Sequence, residues 1–389
     1  MMEKLRYTIL ILLFFSTSCL SQTKQPIVVG AERIDQYLSL LQNKNVAVVG
    51  NQTSMVGDVH LVDTLLKQGV KVTKIFTPEH GFRGTADAGA SVADEIDSKT
   101  GLPIISLYGE HKKPTKEDLQ GIDIVVFDIQ DVGVRFYTYI STMHYVMEAC
   151  AENQVPFLVL DRPNPNGFYV DGPVLDSNCH SFVGLHPVPI VHGMTMAEYA
   201  LMINGEHWLK NGVQCDLHYV TCLGYDHTVK YNLPIPPSPN LPNMQAVYLY
   251  PTLCLFEGTA LSCGRGTPFP FQVIGHPNFK NATFSFTPQS GHGAKYPLFE
   301  NKKCYGVDYR SYNVDTLHSL DIAIWINAYK QYGGKQPFFN SFFTKLSGTP
   351  SLQRQLEEGK TTEEIRASWK KDIESFKLVR QKYLLYHDF

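Results

Sequence analysis

Three short stretches place carboxylates where they can move protons. The first, Lys74 to Gly84, reads K-I-F-T-P-E-H-G-F-R-G and sets Glu79, His80 and Arg83 on one turn. Its glycines, 81 and 84, let the chain bend sharply and bring main chain close to a ligand. The second, Asp128 to Tyr139, reads D-I-Q-D-V-G-V-R-F-Y-T-Y, with Asp128, Gln130 and Asp131 followed by Arg135, Tyr137 and Tyr139. The third, D-R-P-N-P-N-G from Asp161, supplies Asp161 and Asn164. Carboxylates converging from different loops suit general acid and base catalysis, because neighbouring charges drive their pKa values apart and one stays protonated. Each of these acids can equally cap a helix or brace a loop.

The elements that position them form a regular series. Apolar runs at Asn45 to Gly50, Val72 to Phe76, Pro103 to Tyr108, Ile122 to Phe127 and Val155 to Leu160 read as strands. Helical spacing occupies Ala31 to Leu41, the stretch from Val59 to Gly69, Tyr139 to Ala151, and Thr195 to His207, the last opened by a Thr195/Glu198 capping box. Strands without alternation, interleaved with helices, indicate a parallel sheet covered on both faces, an open α/β domain of Rossmann-like type over residues 23–235. Ligands of such sheets sit beyond the carboxyl ends of the strands, and the three stretches lie at those ends. The first turn, G-N-Q-T-S, lacks the glycines of a dinucleotide fingerprint, and neither G-x-x-x-x-G-K-[ST] nor G-x-S-x-G occurs.

Beyond the proline-rich P-I-P-P-S-P-N-L-P of 234–242 the pattern changes. A helical run reaches Tyr250, sheet-like segments cover Ala282 to Thr287 and Lys303 to Tyr309, and helices cover Thr316 to Gln331 and Ile373 to Tyr386. Residues 236–389 read as a smaller α+β auxiliary domain.

Charged residues are 18% of the chain and the net charge is −3, with no basic stripe for nucleic acid. Residues 1–22 have the positive start, short apolar run and small residues of an export signal, with Cys19 placed as a lipoprotein acylation site. A periplasmic protein tethered to a membrane through Cys19 is the expectation. The remaining seven cysteines show no C-x-x-C pair. His80, His192, Asp128 and Asp131 lack the spacing of a metal-ligand set, so no metal or other cofactor is expected and a metal-dependent hydrolase is a minor alternative.

The motifs T-P-E-H-G-F-R-G, D-I-Q-D-V-G-V-R-F-Y-T-Y, D-R-P-N-P, H-G-M-T, P-S-P-N-L-P and E-G-T-A-L-S-C-G-R-G-T, in this order, resemble the bacterial exo-β-N-acetylmuramidase family of NamZ type. Cys263 stands where that pattern has a small aliphatic residue. The resemblance implies a Rossmann-like catalytic domain, an auxiliary C-terminal domain and a cleft between them. It implies removal of N-acetylmuramic acid from the non-reducing end of peptidoglycan fragments, with the catalytic glutamate falling on Glu79. Asp128 and Asp131 are then candidates for the second catalytic group, as base or as orienter of the substrate's acetamido group. His80, Arg83, Gln130, Arg135, Tyr137, Asp161, Asn164, Asn240, Glu257 and Arg265 are candidates to hold the sugar. A guanidinium suits the lactyl carboxylate of muramic acid, which singles out Arg83, Arg135 and Arg265. A non-catalytic peptidoglycan-binding lipoprotein using the same cleft is the alternative from another class.

Overall fold

The computed structural model describes residues 26–79, 81–82 and 95–389. Strand β1 (Asn45–Gly50) is followed by a small hairpin, β2 (Met55–Val56) and β3 (Val59–His60). Strands β4 (Lys71–Thr77), β5 (Glu95–Ile96), β6 (Pro103–Ser106), β7 (Ile124–Asp128), β8 (Phe157–Leu160) and β9 (Leu217–Val220) join β1 in one sheet. Its order is β5-β6-β4-β1-β7-β8-β9, parallel throughout except where β5 runs against β6. The chain winds outward from β1 first through β4 and β6, then returns to build β7, β8 and β9 on the other side. The carboxyl ends of β1 and β7 therefore flank the switch point where such sheets bind ligands.

Both faces of the sheet are covered, which is why its strands read as unbroken apolar runs. Ala47, Val49, Val125 and Phe127 point into one core, whereas Val46, Val48, Ile124 and Val126 point into another. Burying each such valine contributes about 1.5–3 kcal/mol. The first core runs on without a break into the C-terminal half, through Phe271, Ile274, Trp325 and Trp369.

The expected helix over 31–41 is instead two 3-10 turns and a single α turn, α1 (Leu38–Leu41). Tertiary bonds hold that segment to the sheet: Gly30 N donates to Asp161 O, and Arg33 Nη1 donates to Thr221 O. Helices α2 (Leu61–Lys67), α3 (Tyr139–Glu152) and α4 (Met196–Gly205) follow, and α4 carries the Thr195/Glu198 capping box. The second half contains α5 (Met244–Leu253), α6 (Ile322–Gln331), α7 (Ser341–Ser347), α8 (Pro350–Glu357) and α9 (Thr362–Arg380). Its sheet is antiparallel, with β12 (Cys304–Asp308) between β10 (Val273–His276) and β11 (Phe284–Phe286). After α9 the chain returns to the first half, where Leu385 N donates to Glu198 and Tyr386 donates to Asp161. Among the described residues no helix is long and apolar enough to cross a membrane.

Candidate active site

Strand β4 stops at Pro78, which has no N–H to extend a ladder, and Glu79 follows at the sheet's carboxyl edge. The Thr138 hydroxyl, just before α3, donates to Glu79 Oε2 at 3.2 Å. The Tyr108 hydroxyl, two residues beyond β6, bonds to the same carboxylate. Burial, and then the Glu79 charge, raises the Tyr108 pKa, so the phenol keeps its proton and donates. Three separate elements thus fix one acid.

Glu79 lines a small cleft of about 60 Å³ with Tyr137, Tyr139, Tyr250, Phe271, Ser238, Asn240 and Arg265. Its floor is aromatic: the Tyr137 and Tyr139 rings meet edge-on at 4.7 Å, and Tyr137 meets Tyr250 at 5.8 Å. The Tyr137 and Tyr139 hydroxyls both donate to Pro237 O, at 3.0 and 3.2 Å, and Asn51 Nδ2 donates to Tyr139 at 3.1 Å. The proline-rich stretch is therefore a wall of the cleft as well as a connector. Asn240 is fastened there by donation from Nδ2 to Gly293 O at 2.7 Å. Arg265 Nε donates to Glu257 Oε1 at 2.5 Å.

The other polar residues of the strand ends are turned into the protein. Asp128 is fully buried, with Oδ1 taking Arg162 Nε at 2.6 Å and Oδ2 taking Arg162 Nη2 at 2.9 Å. Asp161 accepts from Ala197 N at 3.0 Å and from the Tyr386 hydroxyl at 2.6 Å; burial raises its pKa to about 6. Gln130 Nε2 donates to Asp131 O and Pro163 O. Asn164 bridges Met194 O and Asn166 N, and packs on Gly133. Arg135, expected near substrate, is wholly buried and donates to four carbonyls, those of Pro173, Val188, Leu346 and Ser347. Its guanidinium joins the two halves and has no face toward the cleft. Asp131 differs from these: Oδ1 accepts from Gly133 N at 2.7 Å, Oδ2 is buried with no partner among the described residues, and burial raises its pKa to about 7. His80 and Arg83 lie outside the described residues. Among the described residues no three His, Cys, Asp or Glu side chains converge as metal ligands would.

Family models described as exo-beta-N-acetylmuramidase NamZ match this chain twice, the N-terminal one over residues 46–245 and the C-terminal one over 248–386. The chain belongs to the NamZ exo-β-N-acetylmuramidase family. It is 38% identical, over 91% of its length and 89% of the relative's, to the peptidoglycan beta-N-acetylmuramidase NamZ of Bacillus subtilis strain 168. Two crystal structures of DUF1343 family proteins from Bacteroides fragilis NCTC 9343 are also similar. One is 48% identical with a TM-score of 0.87, covering 94% of this chain and 100% of that one. The other is 31% identical with a TM-score of 0.78, covering 93% and 99%.

Within this NamZ-family cleft, several residues had no sequence signal of their own. Tyr108 read as the end of a strand and Thr138 as a position before a helix; only the fold brings both hydroxyls to Glu79. Tyr250 read only as the end of a helical run and Phe271 fell in no expected element, yet both pack in the core and line the cleft.

Proposed function

We propose that this NamZ-family protein hydrolyses terminal non-reducing N-acetylmuramic acid from peptidoglycan fragments, with Glu79 as its acid/base. The observation that carries the assignment is the setting of Glu79, the one carboxylate lining the cleft among the described residues, fixed by two hydroxyls over an aromatic floor. Glycoside hydrolysis needs a proton delivered to the leaving oxygen, and a positioned carboxylic acid supplies it. Tyrosine faces suit the apolar side of a sugar ring.

The geometry also bears on the second catalytic group. Asp128 has both oxygens in the Arg162 pair, and Asp131 is not among the described residues that line the cleft. This arrangement favours attack on the anomeric carbon by the substrate's own acetamido oxygen while Glu79 protonates the leaving group. Glu79, deprotonated by that step, then takes a proton from the water that opens the cyclic intermediate.

The test is digestion of defined muropeptide chains with N-acetylmuramic acid at the non-reducing end, followed by mass spectrometry. Stepwise release of the free monosaccharide is expected. Tight binding without release would replace the proposal with a peptidoglycan-binding protein, and loss of release in EDTA would replace it with a metal-dependent hydrolase. We read residues 1–22, outside the described residues, as an export signal and Cys19 as a lipid attachment point in the periplasm. Fatty-acid labelling that vanishes in Cys19→Ala is the expected outcome, and label retained in the variant would refute it.

A further inference from the structure

We propose that Arg265 selects the substrate by binding its lactyl carboxylate, and that Glu257 holds Arg265 in place to do so; this rests on the muramidase reading above. N-Acetylmuramic acid differs from N-acetylglucosamine by a lactyl ether, and so by one negative charge. A cleft that discriminates between them needs a fixed cation close to the acid that cleaves the bond. A guanidinium is suited, because its planar fork matches two carboxylate oxygens.

Arg265 lines the same cleft as Glu79, and the charges of both side chains act on the Tyr108 hydroxyl. Its Nε is fastened to Glu257 Oε1, and its guanidinium carbon lies 5.3 Å over the Phe271 ring. A guanidinium has five N–H donors, and the bond to Glu257 uses one. Among the described residues neither terminal nitrogen has a hydrogen-bond partner. The side chain is therefore gripped along one edge and one face, leaving the terminal edge for a ligand. Its main chain is equally fixed. Gly264 and Gly266 flank it at φ +82° and +78°, and a Cβ on them would meet Val273 Cγ2 at 2.7 Å and Gln289 O at 2.6 Å respectively. Arg135 presents the opposite case, with both terminal nitrogens bound to carbonyls.

The test compares three chromogenic glycosides: N-acetylmuramic acid, its lactyl methyl ester, and N-acetylglucosamine. Wild-type enzyme is expected to favour the free acid over the ester by roughly 30- to 100-fold in kcat/KM, mostly through KM. Arg265→Met should bring the acid-to-ester ratio close to one, Arg265→Lys should restore part of it, and Glu257→Gln should lower it by several-fold. An Arg265→Met variant that melts like wild type and keeps the ratio overturns the assignment while leaving the muramidase reading intact. A wild-type ratio near one overturns it without any variant. Failure of wild type to cleave any of the three overturns both readings.

Discussion

The carboxyl end of β4 and those of β7 and β8 offer the same thing in sequence, an acid where an apolar strand stops, yet the fold places them differently. Glu79 comes two residues after β4, past a proline, and its longer side chain reaches the cleft. Asp128 is itself the last residue of β7 and Asp161 follows β8 directly; both short side chains stay at the level of the sheet and are covered. Arg162 closes over one, while Tyr386 and the start of α4 close over the other. A carboxylate at a strand end becomes available for chemistry when the chain carries it past the last ladder bond, and becomes a brace when it does not.

Breaking the braces should cost stability. Asp128→Ala strands a buried Arg162 guanidinium and should destabilise the fold by about 3–5 kcal/mol, measured by urea unfolding. Asp131 should show itself through pH. Its carboxyl pKa is raised from 3.8 to about 7 in the folded state, so between those values the folded form holds more protons than the unfolded form. Stability from this group is therefore full below pH 4 and lost as pH rises toward 7, by about 2–4 kcal/mol. Relative to Asp131→Asn, wild type should lose that much across the window; parallel stability curves would contradict the assignment. Tyr386→Phe removes one donor from Asp161 and should cost about 1–2 kcal/mol in the same assay, with little change in kcat.

Much of the fold was legible because the parallel strands are buried on both faces and their apolar runs have no polar interruption. Strand β9 was not, since as an edge strand it carries His218 and an exposed Tyr219. Helix α9 begins at Thr362 behind a Thr361/Glu364 capping box, well before the expected Ile373, because its first turns are charged and half of that surface faces water. In the candidate site, Glu79 stood out by its motif, but the Thr138 hydroxyl that meets it lies 59 residues away and carries no mark of the contact. Arg135 shows the limit from the other side. An arginine beside catalytic-looking residues reads as a ligand-binding cation until the fold surrounds it with carbonyls.

The difference between reagent and brace is tested most directly by Glu79→Gln, assayed on two substrates that differ only in the leaving group. Loss of a general acid should lower kcat/KM by roughly a hundredfold or more on a natural muramic acid disaccharide, whose sugar alkoxide must be protonated as it departs. On a nitrophenyl glycoside, whose phenolate leaves without help, the loss should be far smaller, and the melting temperature should stay near that of wild type. Equal losses on both substrates, or near-normal turnover of the disaccharide, would contradict the assignment of Glu79 as the acid.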